Sequence, residues 1–256
     1  MSITDTTASS TDTTASSTDP NDSASLPIGR TAWTVSHQYL QLWLMMVLTF
    51  VTGLLDAVGY LGLDRIFTGN MTGNIVILGM GVAGEDSLPV VGPLLALAAF
   101  MLGAALSGLV LRRCTPGWSS PVTMVLSVGV VTLVAAGTAL LVFPVEGNST
   151  LGVAIACIIA VQMGAQACTA RFLAVKDMTT VVVTSTITAL AGESFLHKGF
   201  ARLVNRRLWA VLLIFAGAVT GALLMKTHIA IPVYLAAMLT AATVMIGHLR
   251  WQHASG

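Results

Sequence analysis

The fold of this chain is indicated by the stretch Gly53-Leu-Leu-Asp-Ala57 together with Phe67-Thr-Gly-Asn-Met-Thr-Gly-Asn-Ile-Val-Ile-Leu78. A similar stretch lies 111 residues further along, where Gly164-Ala-Gln-Ala-Cys168 precedes Met178-Thr-Thr-Val-Val-Val-Thr-Ser-Thr-Ile-Thr-Ala-Leu190. One single-residue gap aligns the two copies. Duplicated membrane segments, each with a short polar-headed element, are typical of many transporter folds. The duplication therefore favours a transporter-like membrane protein.

The composition is that of an integral membrane protein. Hydrophobic residues make up 55% of the chain and charged residues only 9%, and the mean hydropathy is +0.85. A soluble domain normally carries about 25% charged residues. The formal net charge of +1 gives no argument for a nucleic-acid partner. We predict an all-α polytopic protein of the bacterial inner (plasma) membrane, with lipids and a small solute as its partners and a homo-oligomer as an open alternative.

Residues 1–28 differ from the rest of the chain. They contain fourteen Ser or Thr and four Asp but no Lys or Arg. Such a segment cannot bury enough apolar surface to offset its ordering entropy, so we expect it to be disordered. It also lacks the basic region and adjacent apolar region of a signal peptide, and the first apolar stretch is expected to be an uncleaved span. We predict one transmembrane domain over residues 29–250 and a short tail over 251–256.

Six apolar segments approach or exceed the ~20 residues needed to cross ~30 Å of hydrocarbon. They are residues 41–62, 93–111, 121–143, 150–170, 208–225 and 229–249. Two further segments, 66–84 and 178–192, are too apolar for ordinary loops but too short to span. The first contains about 12 residues of good helix, which reach only ~18 Å at ~1.5 Å per residue. We predict that both are half-helices that enter and leave on one side.

The distribution of Lys and Arg tests this prediction, because cytoplasmic loops carry an excess of positive charge. With six crossings, ten basic residues face one compartment and two face the other. With eight crossings the split is six against six. Seven crossings, in which only 66–84 crosses fully, also give ten against two. The symmetry of the two copies favours six crossings, with both termini in the cytoplasm.

Each copy then contains three crossings and one short element, in residues 41–143 and 150–250. An odd number of crossings turns the second copy upside down relative to the first, which predicts two inverted repeats. The third elements agree with the pairing, since Gly103-Ala-Ala-Leu-Ser107 and Gly217-Ala-Val-Thr-Gly221 are both small-xxx-small motifs. Such motifs let helices approach closely, either within the chain or between copies of it.

Asp56 is the only acidic residue well inside a long span. A charged side chain there costs ~2.5–3.5 kcal/mol on insertion scales, so it should face a cavity or a partner. It either couples a proton or cation, contacts a polar solute, or makes a structural hydrogen bond to the neighbouring short element. Gln166 lies at nearly the same depth in the second copy and can only form hydrogen bonds.

The polar heads of the two short elements are the other candidates for solute binding. They are Thr72-Gly73-Asn74, extended by Thr68 and Asn70, and Thr184-Ser185-Thr186. A helix that begins inside the membrane leaves backbone N–H groups unpaired and directs its positive dipole end inward. Two such ends would form a site for an anionic or neutral polar solute. Alternatively, the heads only cap themselves.

Basic residues near and after the fifth span are expected to lie at the membrane surface. Arg171 either anchors that span at the interface or screens an anionic solute at the mouth of a pathway. Residues 197–207 form a basic amphipathic segment, which we expect to lie on anionic headgroups. The histidines and the three cysteines lack metal-ligand spacing, so we predict neither a metal site nor a cofactor.

The stretch from Gly53 to Asn74, followed by Gly164-Ala-Gln166 and the Thr-rich residues 179–188, resembles the YoaK-type family of bacterial membrane proteins. The resemblance covers residues 40–250 and implies a small polytopic protein of about six helices with no established substrate. This chain departs from the family pattern at Ala167, where a polar residue is usual. It also departs at Thr184-Ser-Thr186, where a second Thr-Gly is usual.

The combined hypothesis is a permease or transporter-like protein for a small polar or anionic solute. Its solute-binding residues would be Asp56, Asn70, Thr72, Gly73, Asn74, Gln166, Thr184 and Thr186. Two alternatives stay open, a non-transporting membrane scaffold or assembly protein and an intramembrane enzyme acting on lipid or quinone. The chain has no HExxH, P-loop or GxSxG motif, so we predict no catalytic residues.

Overall fold

The computed structural model describes residues 28–85, 88–115, 117–145, 149–173 and 200–255. The contacts below all lie between residues of the unit that begins at His37. The described residues form seven α-helices, and no strand occurs among them. The helices are α1 (Ile28–Gly62), α2 (Met71–Val82), α3 (Val91–Leu111), α4 (Ser120–Val142), α5 (Thr150–Phe172), α6 (Phe200–Met225) and α7 (Ala230–Ser255).

Six of these helices are long and apolar enough to cross a membrane. Their apolar parts are Leu40–Gly62, Val91–Leu111, Ser120–Val142, Thr150–Phe172, Leu208–Met225 and Ala230–Gln252. Each differs from its predicted span by only a few residues. Apolar side chains on α3, α4 and α6 are widely exposed, which suits helices that face lipid rather than water. The predicted all-α polytopic fold with six spans is confirmed.

Helix α2 is the first of the two predicted short elements. It has 12 residues, begins after Asn70 and ends before Ala83, and Gly84 then takes a positive φ of 95°. At ~1.5 Å per residue the helix is ~18 Å long, which is about half of a membrane crossing. The second predicted element, residues 178–192, lies outside the described residues.

The direction of each spanning helix follows from its contacts. Helices α1 and α5 are antiparallel, because Gly152 lies beside Leu63 while Gln166 reaches Leu48. Helices α4 and α7 are also antiparallel, since side-chain hydrogen bonds join Thr138 to Tyr234 and Thr123 to His248.

The remaining pairs run in the same direction. Helix α3 is parallel to α5, as shown by Gly103 on the backbone of Val161 and by the Ser107–Thr169 hydrogen bond of 3.2 Å. Helix α6 is likewise parallel to α1, because Ile214 lies beside Gly53 and Gly221 lies further along, beside Leu54 and Ala57.

Glycines allow two of these helix pairs to approach backbone to backbone. At the α1–α6 crossing, Gly53 faces the backbone of Ile214, and Gly217 faces the backbone of Phe50. At the α3–α5 crossing, Gly103 faces Val161 and Gly164 faces Phe100. A Cβ atom at any of these four glycines would collide with main-chain atoms. The predicted small-xxx-small motifs therefore serve packing within the chain.

Candidate functional site

The loop between α1 and α2 folds back along α1 instead of leaving the membrane domain. After α1 ends at Gly62, the N–H of Ile66 donates to the carbonyl of Gly59 at 3.3 Å. Gly59 faces the backbone of Ile66, which is possible only because it lacks a side chain. The next residues, Thr68 to Asn70, thereby reach the level of Asp56, which lies six residues before the end of the span Leu40–Gly62, or a little under two turns at ~3.6 residues per turn.

Helix α2 then returns to the end at which it entered. Its last turn lies near the loop before α3, where Gly81 contacts Val90. Helix α3 begins beside the end of α1, since Gly92 contacts Asp64 and Ile66. The loop and α2 therefore form a re-entrant segment, residues 63–82, that dips along α1 and comes back without crossing.

Asp56 holds the tip of the re-entrant segment. Its Oδ1 accepts hydrogen bonds from the backbone N–H groups of Gly69 at 2.6 Å and Asn70 at 3.3 Å, and from the hydroxyl of Thr68 at 3.4 Å. Thr68 is fully buried and Asp56 is half-buried. The structural hydrogen bond to the neighbouring short element, which the sequence allowed for Asp56, is present.

Two asparagines shape the start of α2. Asn74 is 1% exposed, and its amide forms two bonds to Phe67: Oδ1 accepts from the N–H at 2.8 Å and Nδ2 donates to the carbonyl at 2.6 Å. Asn70 is the N-cap, and its Oδ1 accepts from the N–H of Gly73 at 3.2 Å. Gly73 lies against the ring of Phe67, which stacks on Tyr60 with centroids 4.8 Å apart. Both asparagines thus have positioning roles within the chain.

The tip of the re-entrant segment also reaches α5. The space around the Cα of Gly69 is bounded by Thr52, Met163 and Asp56, so a side chain at this position would meet all three. Gln166 lies one turn beyond Met163 and is 4% exposed. Its Nε2 donates to the carbonyl of Leu48 at 3.3 Å and to the hydroxyl of Thr52 at 3.5 Å. Gln166 therefore contacts α1 at Leu48 and Thr52, one to two turns before Asp56.

The other predicted site residues are placed differently. Thr72 is exposed on the first turn of α2, and Arg171 is exposed in the last turn of α5. Neither has a side-chain hydrogen bond to the described residues that would tie it to Asp56. Thr184 and Thr186 lie outside the described residues, so their place in the site stays a prediction.

Thr68, which the sequence grouped with the polar head of α2, donates to Asp56. Two other buried polar residues, Thr52 and Gln162, were missed by the sequence reasoning. Thr52 lies four residues before Asp56, one helical turn away on the same face of α1. Gln162 is 4% exposed and packs flat against Gly129, and its Nε2 has no partner among the described residues. A glutamine four residues before Gln166, inside an apolar span, was the available indication.

The groups that contact Asp56 are backbone N–H groups and a hydroxyl. Within the described ranges no group of three His, Cys, Asp or Glu side chains is close enough to hold a metal ion. The three cysteines are free and half-buried. The α1–α5 contact also contains an acceptor, the amide oxygen of Gln166, which is buried without a partner in the described part of the chain.

The fold and site define a multi-pass α-helical membrane protein in which a short re-entrant helix is held by an acidic residue of the first span. The chain belongs to the family described as "Protein of unknown function (DUF1275)", which matches residues 44–246. It is similar to the UPF0700 transmembrane protein YoaK of Bacillus subtilis (strain 168), at 30% identity over 191 residues, or 70% of this chain and 82% of that protein. No solved structure matches the chain. The YoaK-type resemblance is confirmed, and the chain is a multi-pass bacterial membrane protein.

Proposed function

We propose that this protein is a permease for a small polar solute, built from two inverted repeats of three spans. The observation that carries the proposal is the position of Asp56 and its re-entrant segment, at the contact between the first helices of the two sequence copies. Solute sites in inverted-repeat transporters lie near the midplane at the interface of the repeats, beside the ends of interrupted helices.

Helix directions support the inverted arrangement. The alignment of Gly53 with Gly164 pairs α1 with α5, and α4 and α7 are the last spans of the two copies. Both pairs are antiparallel. Because α3 is parallel to α5 and α6 is parallel to α1, the middle spans α3 and α6 are antiparallel as well.

The glycine crossings support it independently. The first span of each copy packs against the middle span of the other, α1 on α6 through Gly53 and Gly217, and α5 on α3 through Gly164 and Gly103. A two-fold axis in the membrane plane would exchange these two crossings. Residues 41–143 and 150–250 are therefore our proposed repeats, and rocking across the α1–α5 contact is the proposed mechanism.

One observation favours the alternative of a non-transporting scaffold. The polar groups at the start of α2 are largely satisfied within the chain, by Asp56, Asn70 and Asn74. A scaffold needs no more than this, whereas a permease needs an acceptor that is still available, such as the amide oxygen of Gln166, to meet a solute.

Uptake into proteoliposomes tests the proposal. Wild type, Asp56→Asn and a matched control, Asp64→Asn, are screened with amines, amino acids, organic acids, sugars and inorganic ions, with and without a pH gradient. Asp56→Asn keeps an oxygen that can accept from Gly69, so it should fold, and we expect it to lose uptake. Asp64 lies after the end of α1, and its substitution should leave uptake within about twofold, because surface changes away from a site are usually small. Absence of uptake for the whole panel would favour the scaffold.

A further inference from the structure

One apolar cluster shows which helix ends lie on the same side of the bundle. Its buried members come from the start of α1, the end of α3, the start of α4 and the end of α5, and they include Leu42, Leu111, Val122 and Leu173. Residues near the start of the α6 span and in the second half of α7, among them Leu213 and Val244, pack against the same cluster. We call the side of the bundle at which these six helix ends meet the cluster side.

Exposed basic side chains are concentrated on the cluster side. Four arginines lie at helix ends there: Arg112 and Arg113 after α3, Arg171 in the last turn of α5 and Arg250 near the end of α7. None of their guanidinium groups forms a hydrogen bond or an ion pair with the described part of the chain. The acidic side chains in the described ranges, Asp56, Asp64 and Glu85, all lie toward the opposite side. The described surface of the cluster side therefore carries a net positive charge.

The tryptophans lie on the cluster side as well. Four of the five in the chain have described side chains: Trp43 near the start of the α1 span, Trp118 just before α4, Trp209 at the start of the α6 span and Trp251 near the end of α7. Trp43 and Trp209 are 65% and 54% exposed. Tryptophan is enriched at the level of lipid headgroups, because it combines a large apolar ring with one N–H donor. Such residues normally occur at both membrane interfaces, so their concentration at one of them distinguishes this side.

The loop that follows Arg113 is fixed against α7 by Trp118. The ring of Trp118 covers Gly247, where a Cβ atom would overlap it, and its Nε1 donates to the hydroxyl of Thr123 at 3.0 Å. The same hydroxyl lies 3.5 Å from Nδ1 of His248, on α7. The α3–α4 loop and the end of α7 therefore form one continuous surface at the membrane interface.

We propose that the cluster side of the bundle binds the headgroups of anionic phospholipids in the leaflet that it faces, several lipids at a time. The distribution of positive charge predicts that this leaflet is the cytoplasmic one. The argument is charge complementarity, since each basic side chain near an anionic membrane surface strengthens binding by about fivefold. Guanidinium groups also donate to phosphate oxygens in a favourable geometry, while the tryptophan rings contact the upper part of the acyl chains. The inference does not depend on whether the protein is a permease or a scaffold.

The tryptophans provide the measurement that tests this proposal. Full-length protein carrying Trp33→Phe, which removes the one tryptophan whose side chain is not described, is reconstituted into vesicles of equal amounts of phosphatidylcholine and phosphatidylglycerol. Either lipid carries brominated acyl chains, which quench tryptophan fluorescence on contact. The variants are the double substitutions Arg112→Gln with Arg113→Gln, and Arg171→Gln with Arg250→Gln. The matched control is Lys226→Gln, after the end of α6 on the opposite side.

We expect phosphatidylglycerol to contact the tryptophans about threefold or more in preference to phosphatidylcholine, because a single arginine already accounts for about fivefold. Each double variant should lower this preference, so that one variant gives a result even if the other fails to fold. The preference should also disappear in about 1 M sodium chloride, where the Debye length is only ~3 Å. Lys226→Gln should leave the preference unchanged, because it lies ~30 Å away across the hydrocarbon, well beyond the ~10 Å Debye length at about 0.1 M salt.

Three results would overturn the proposal. The first is equal quenching by the two brominated lipids, or a preference that neither arginine variant lowers. The second is a preference that sodium phosphate removes more effectively than sodium chloride of the same ionic strength, which would assign the arginines to free phosphate. The third is the absence of quenching by either lipid, which would show that another protein surface covers this side.

Discussion

Replacing Asn74 by leucine tests how the re-entrant segment is held inside the membrane domain. Asn74 is 1% exposed and satisfies both the N–H and the carbonyl of Phe67, at 2.8 and 2.6 Å. Leucine has a similar size but no polar atom, so both backbone groups of Phe67 would lose their partner. Each unsatisfied buried group costs about 1–3 kcal/mol, which gives a loss of about 2–6 kcal/mol in the free energy of unfolding.

The assay is denaturant titration of full-length protein in mixed micelles, followed by far-UV circular dichroism. Asn70→Ala is the matched control, because it removes the neighbouring asparagine, whose exposed cap on Gly73 is worth about 0.5–2 kcal/mol. We expect Asn74→Leu to cost clearly more than Asn70→Ala. Equal losses for the two variants, or a loss below about 1 kcal/mol at Asn74, would refute the argument that the Asn74–Phe67 pair holds the segment.

Two further predictions concern packing and topology. Gly53→Ala adds a methyl group against the backbone of Ile214 and should destabilise by about 1–3 kcal/mol or more, whereas Gly79→Ala, which meets no neighbouring atom, should be neutral or stabilise by about 0.5–1 kcal/mol. Denaturant titration measures both, and a harmless Gly53→Ala would contradict the close α1–α6 approach. In a chain without native cysteines, Leu61→Cys and Ala83→Cys should react with a membrane-impermeant maleimide from one side of the membrane and Arg113→Cys from the other. Labelling of residues 61 and 83 from opposite sides would show that α2 crosses.

The spans were predictable because the physical requirement is simple and local. About twenty apolar residues are needed to cross hydrocarbon, and that requirement is visible in sequence with an error of a few residues at each end. The short length of α2 was predicted from Thr68-Gly-Asn-Met-Thr-Gly-Asn74, a weak helix former. The helix nevertheless includes the last four of these residues, because Asn70 caps its first turn.

The roles of individual polar residues were less predictable, because they depend on how the chain folds back. Asn74 carries the same side chain as Asn70 and was expected to contact a solute in the same way. Only the return of the loop along α1 brings Phe67 within reach of Asn74 and leaves Asn70 exposed. The helix that packs against Gly53 could not be predicted either. A small-xxx-small motif indicates that two helices pack closely, but it does not show which helix is the neighbour.

The strengths of the helix contacts indicate which parts of the proposed permease would move together. The α1–α6 and α3–α5 pairs pack backbone to backbone at glycines. Helices packed this closely cannot slide gradually past one another, so each pair should move as one body. Between α1 and α5, by contrast, the described hydrogen bonds are the long ones from Gln166, at 3.3 and 3.5 Å. Rocking would therefore separate α1 with α6 from α3 with α5, so that each moving body combines helices of both sequence copies. Asp56 and Gln166 lie on opposite sides of that division, so a rocking motion would change the distance between them.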